Sequence, residues 1–316
     1  MKNIEKNGHK RLLPLTLVLG ASLVSVNSFA DSLDLAYGEL EQHVELQNET
    51  LLLKPSGLSL FFSHDLNPDW NISAFYQSMG DDNNTGDQPD VDVDLDLNTY
   101  GGNINYYQDN WSFSAGLSVS DDEQKITSGT LRPGSRDEET SAVSLSTSVG
   151  YGDSQGNWLY DVSLGLQYSD WEVDTYMDVP PGGNQPQDSS RSDNSLGVNT
   201  SISLGHYWSL ADNRGVLAGA MLSWSYILSG DTLSDGQNTG GAGNNSGPGS
   251  PGARTRGSRR GATSLSATSG DDNYGQFLMY LSYDINSRWS LSLDTATEIA
   301  SDYAEQSWSL NLGYAF

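Results

Sequence analysis

Apolar positions alternate without a slip with small or polar ones at the end of the chain, over 306–316, QSWSLNLGYAF. Trp308, Leu310, Leu312, Tyr314 and Phe316 take one face of an extended strand, and Ser307, Ser309, Asn311, Gly313 and Ala315 take the other. The same period of two recurs upstream. Leu58, Leu60 and Phe62 begin it, and Trp70, Ile72, Ala74 and Tyr76 repeat it. Trp111, Phe113, Ala115, Leu117 and Val119 follow, then Val143, Leu145, Thr147, Val149 and Tyr151, then Trp158, Tyr160, Val162, Leu164, Leu166 and Tyr168. Leu196, Val198, Thr200, Ile202 and Leu204 lead on to Trp208. Ala218, Ala220, Leu222, Trp224 and Tyr226 come next, then Phe277, Met279, Leu281 and Tyr283, then Trp289, Leu291 and Leu293.

The positions between these are mostly Ser, Gly, Asn and Thr. One such strand would suit the end of a soluble domain, but a soluble sandwich puts large and β-branched side chains on its inner face. An apolar face set against a small, polar one over many strands suits a closed barrel with a greasy exterior and a wet interior. About 9–11 residues are enough for a tilted strand to cross a bilayer.

The connections alternate in length. Short turns fall at 67–69, 108–110, 153–157, 211–215 and 286–288. Long polar connections fall at about 80–94, 121–138, 174–193, 232–272 and 300–305. Short turns at one end and long loops at the other are the pattern of a transmembrane barrel. Trp70, Trp111, Trp158 and Trp289 follow short turns at once, and Trp208 precedes one. These five indoles are expected to form an aromatic girdle at one membrane interface. Five hairpins counted back from Phe316, with one further pair before Trp70, give an all-β antiparallel barrel of about 12 strands, with 10 as the even-numbered alternative. The first strand is placed near 44–53, and 31–42 is read as a short periplasmic or lumenal lead.

Composition refines this picture. Lys2, Lys6, Lys10 and Arg11 precede an apolar run over 12–24, and Ser28-Phe29-Ala30 completes the layout of a secretory signal peptide. Cleavage before Asp31 leaves a barrel domain over 31–316. The run is short for a transmembrane anchor, and no later stretch reaches 18 apolar residues. A mean hydropathy of −0.49 does not argue against a barrel, because lumen residues dilute the average. The 15 basic and 41 acidic residues lose Lys2, Lys6, Lys10, Arg11 and Glu5 with the leader, leaving 11 against 40. Such acidity excludes nucleic acid as an expected partner. The chain has no Cys, so it has no disulfide framework.

The terminal strand, with Trp308, Leu310, Leu312, Tyr314 and a final Phe316, resembles the closing strand of Gram-negative outer-membrane β-barrel proteins. In that family the closing strand is the signal read by the barrel-assembly machinery. The resemblance implies residence in the outer membrane, with its lipid and lipopolysaccharide as surroundings. In strand number and size the chain is similar to the β-domain of autotransporters. It departs from them in carrying only a short lead, so a passenger is not expected.

Candidate chemistry is sparse, and no cofactor is expected. His43, His64 and His206 remain in the mature chain. Ser63-His64-Asp65 places neighbours on opposite strand faces, and both His64 and His206 fall in lipid-facing register near short turns. This argues against an enzyme, although an enzyme, adhesin or receptor working at the outer rim remains the alternative. Asp81, Asn83, Asp87 and Asp92 partly follow the spacing of a Ca²⁺ loop, but Thr85 and the lack of a Glu at the twelfth place weaken it. Asp90, Asp92, Asp94 and Asp96 alternate with Val91, Val93, Leu95 and Leu97, and are read as a lumen-facing acidic row. Arg254, Arg256, Arg259 and Arg260 form a basic run in the longest loop, suited to phosphate or carboxylate. The expected function is a structural or pore-type barrel preferring cations.

Overall fold

The structure, a computed structural model, describes residues 31–46, 49–84, 91–128, 134–178, 187–210, 214–230, 273–299 and 305–316. The leader 1–30, Asp87, Asp90 and the arginines of 252–261 lie outside the described residues.

The strands are β1 (Asp31–Leu40), β2 (Gln42–Leu46), β3 (Glu49–Leu53), β4 (Ser56–Asp65), β5 (Trp70–Asn84), β6 (Val91–Gln108) and β7 (Trp111–Ser128). They continue as β8 (Gly134–Gln155), β9 (Trp158–Asp178), β10 (Gln187–Ser209), β11 (Gly215–Gly230), β12 (Asn273–Asp284), β13 (Trp289–Ile299) and β14 (Gln306–Ala315). Twelve of them, β1 and β4 to β14, close into one antiparallel barrel. β2 and β3 pair only with each other. The strand number is the one the sequence pattern implies, but the first strand is not. Residues 31–40, read from sequence as a lead, are the strand that seals the barrel, through pairs such as Leu35↔Leu312 and Tyr37↔Leu310. The stretch 44–53 belongs to the β2–β3 hairpin instead.

The barrel strands keep the two-residue period, with one register shift between β10 and β11 at Leu196/Gly197. On β9 the exposed side chains are Trp158, Tyr160, Val162, Leu164, Leu166 and Tyr168, and Ser163, Gly165 and Gln167 face inward. Small hydroxyls and amides knit the inner wall across the ladders. Ser144 meets Ser169 at 2.8 Å, Ser163 meets Ser201 at 2.6 Å, and the Asn71 amide donates to Ser63 at 2.8 Å. Where Tyr280 comes close to this wall, glycines make room: a β-carbon at Gly219 or Gly205 would overlap the Tyr280 hydroxyl.

The short turns are specified locally. The Asn67 side-chain oxygen accepts from the backbone of Asp69 and Trp70 at 2.9 and 3.0 Å. Asn286 does the same for Arg288 and Trp289 at 2.8 and 3.0 Å. These are Asx turns, in which an asparagine side chain replaces a ladder acceptor. Asp109 and Gly156 adopt positive φ in two-residue turns, the geometry that matches the twist of a hairpin.

The barrel is tall on one side. β5 to β10 contain 15–23 residues, against 10–16 in the other barrel strands. Much of 80–94, 121–138 and 174–193, read from sequence as loop, is therefore strand. Its outward positions are polar, many of them acidic, so it lacks the outward apolar period of the strands below it.

Candidate functional site: the lumen and its outer mouth

The outer face carries a continuous apolar belt. Leu35, Leu58, Ile104, Leu117, Leu145, Leu164, Ile202, Met279 and Leu310 are all exposed on it. Exposed apolar surface on this scale is costly in water and favoured in lipid. At the short-turn end the belt finishes in aromatics. Trp70 packs on Tyr106 at 4.8 Å, Trp111 on Tyr151 at 5.2 Å, Trp158 on His206 at 4.7 Å and Trp289 on Tyr314 at 4.7 Å. Trp208 lies 4.4 Å from His206, on its other side. All five tryptophans thus stand on the outer face beside short turns. His64, paired with Asp31 and Ile72, stands on the same face at the same end. His43 lies on β2, apart from the barrel wall.

At the other end the outer face turns acidic. On β9 it changes from Tyr168 to Asp170, Glu172 and Asp174, and on β7 from Val119 to Asp121 and Glu123. β6 follows the same rule, which corrects the acidic row read from sequence. Asp92, Asp94 and Asp96 are exposed on the outer face, and Val93, Leu95 and Leu97 are buried on the inner one. The cause is continuity of the ladder. The β6 pairing with β5 and β7 runs without a register shift, so Tyr100 and Ile104, which face outward in the belt, fix the face of Asp96, Asp94 and Asp92. The Ca²⁺ loop dissolves for the same reason. Asp81 faces inward on β5 and Asp92 outward on β6, so one ion cannot hold both. Among the described residues no cluster of acidic, His or Cys side chains could hold a metal.

The lumen carries a different set of acids, which the sequence reading did not single out. By strand register Asp34, Asp65, Asp81, Asp122 and Glu138 face inward, and so do Asp161, Asp193, Asp284, Asp294 and Glu298. Against these ten, Arg136 and Arg191 are the inward-facing cations of the described strands. Isolated acids among serines give no run to notice in a sequence, but the barrel gathers them. The Asp294 carboxylate accepts from the Asn311 amide at 2.7 Å, and Asp161 accepts from the Ser203 hydroxyl. Arg136 pairs with Glu138 at 2.8 Å, and the Arg191 guanidinium lies 5.2 Å over the Trp171 ring.

On β5 and β6 the inner face of the outer mouth is largely apolar. Val93, Leu95 and Leu97 of β6 and Met79 of β5 form a buried cluster with Leu40 and Leu53, and Ile126 of β7 packs against it. Above them the Lys54 ammonium pairs with Glu41 at 2.9 Å. The Glu41 carboxylate, through that hydrogen bond, raises the Lys54 pKa above its ordinary value.

No family model and no curated protein sequence matches the chain. Solved structures do. The translocator domain of the autotransporter NalP from Neisseria meningitidis superposes with a TM-score of 0.61 at 10% identity, covering 96% of this chain and 94% of that one. The β-domain of the Bordetella autotransporter BrkA superposes with a TM-score of 0.58 at 13% identity, covering 92% of this chain and 99% of that one. Fold and belt together are those of an outer-membrane β-barrel, similar in fold to the translocator β-domains of autotransporters.

Proposed function

We propose that the chain forms a cation-preferring passage through the outer membrane. The observation that carries this reading is the lumen's charge: ten inward carboxylates against two guanidinium groups on the described strands. In a confined passage with low-dielectric walls, fixed charge of one sign enriches the opposite ion and repels its partner. The belt takes outer-membrane lipid and lipopolysaccharide as its surroundings, and β14 is the segment the assembly machinery would read.

Single-channel recording across a salt gradient tests the passage. A measurable conductance with a reversal potential of the cation-selective sign is expected. A reversal potential near zero, or of the opposite sign, rejects the preference.

A second reading, a receptor or adhesin, draws support from the tall wall, which carries Asp94, Asp96, Glu123, Glu139, Glu172 and Asp174 outward beyond the belt. A silent barrel whose cell-surface binding is lost when these acids are neutralised would favour it.

A further inference from the structure

We propose that the inner face of β7 to β10, at the outer mouth, is a binding site for a neutral, hydroxyl-rich chain of the oligosaccharide class; the proposal goes beyond the passage reading and does not need an open lumen. Strand register draws the site. Asp122, Thr140, Val173 and Arg191 are direct partners on one rung across these four strands, a span of about 14 Å at the usual strand spacing. Gln124 and Glu138 pair on the next inward rung above, and Ala142 and Trp171 on the next below.

The polar groups of this patch are held on the wall, and three N–H groups among them are unmet. Asp122 accepts from the Asn98 N–H at 3.1 Å, and Glu138 accepts from Arg136 at 2.8 Å and from the Thr175 hydroxyl at 3.4 Å. Gln124 is 7% exposed and Trp171 4%. Yet the Gln124 amide nitrogen, the Trp171 indole N–H and the Arg136 Nε–H have no acceptor among the described residues. A buried donor left without an acceptor is unfavourable, and a ligand that brings acceptors relieves it.

The neighbours of these donors narrow the class of ligand. A cation brings no acceptor. An anion would meet three inward carboxylates, Asp122, Glu138 and Asp193, against the guanidinium groups of Arg136 and Arg191. A hydroxyl suits both demands, since one oxygen accepts from an N–H and donates to a carboxylate. Ala142, Trp171 and Val173 form an apolar cluster within the patch, a floor for the C–H faces of sugar rings. Arg191 is exposed and lies over the Trp171 ring, so the indole is reached from the β10 side by displacing one guanidinium.

The test titrates the detergent-solubilised barrel with neutral tetrasaccharides of glucose, mannose and galactose, and with charged tetramers of galacturonate and glucosamine. The readout is the indole N–H resonance that disappears in Trp171→Phe. At least one neutral probe should shift that resonance saturably, and neither charged tetramer should bind more tightly. Calorimetry with the best neutral probe should then show Trp171→Phe and Gln124→Leu each weakening binding about fivefold, the worth of one neutral hydrogen bond. Only barrels that run as folded on a gel are compared, and the wild-type titration decides alone where a variant fails to refold. A Trp171 resonance indifferent to every neutral probe would overturn the site. Tighter binding of a charged tetramer would overturn the ligand class. Full affinity in both variants would place the sugar elsewhere and overturn the proposal.

Discussion

The ring of Tyr37 meets that of Trp308 edge-on, with centroids 5.9 Å apart, across the seam where the first barrel strand closes on the last. The seam joins the first and last strands, which no connection of the chain links directly, so its backbone ladder and side-chain pairs must hold it. An aromatic pair of this kind contributes about 1 kcal/mol beyond its buried area. Trp308→Ala should lower the unfolding midpoint of the detergent-solubilised barrel by an amount of that order, and should do so more than Trp224→Ala, which leaves the seam intact. Urea unfolding followed on a gel that separates folded from unfolded barrel measures both.

Phe316 behaves differently. It is 68% exposed, and its ring meets that of Tyr314 at 5.0 Å between centroids. So little packing cannot matter much to stability. If the terminal aromatic is an assembly signal, removing Phe316 should slow insertion in cells strongly and leave the unfolding midpoint of the refolded protein almost unchanged. Equal loss in both assays would make Phe316 a structural residue only.

The belt and girdle set a depth scale. Trp70, Trp111, Trp158, Trp208 and Trp289 should share one shallow depth in quenching by brominated lipids. Trp171, buried on the inner face of β9, should be quenched at no depth. Arg in place of Leu117 or Leu164, exposed in mid-belt, should cost ~2–4 kcal/mol, whereas Arg in place of the inward Gln167 should cost little. Titration of folding in vesicles gives these differences directly.

The barrel was legible in the sequence because lipid and lumen demand opposite side chains, and strands such as β9 and β14 obey both demands at once. β1 was not. It has only Leu33, Leu35 and Tyr37 on its outer face before Glu39, and its strand character comes from pairing with β14, a partner at the far end of the chain. The tall wall was misread for a related reason. Above the belt the outer solvent is water, so the rule that polar means inward reverses. The alternation of Asp92, Asp94 and Asp96 with Val93 and Leu95 shows two faces but not which is which. Only the unbroken ladder down to Tyr100 decides it. The alternation already puts Asp161, between Tyr160 and Val162, and Asp294, after Leu293, on the polar face, but only the closed register brings these acids from separate strands into one lumen.

That reversal gives the selectivity experiment two opposed sets of mutations. A carboxylate about 8 Å from a passing cation, at an effective dielectric near 20, is worth about 2 kcal/mol of attraction. Asp161 and Asp294 face inward by strand register; neutralising both as Asp161→Asn and Asp294→Asn should move the reversal potential clearly toward zero. Asp94 and Asp96 face outward above the belt, with the wall of the barrel and bulk water between them and the passage. At physiological salt such charges are screened within about 8 Å, so Asp94→Asn with Asp96→Asn should leave the reversal potential where it was. The acidic row read from sequence makes the contrary demand, that Asp94 and Asp96 dominate. Should the outer pair shift selectivity as far as the inner pair, the faces of β6 are assigned the wrong way round.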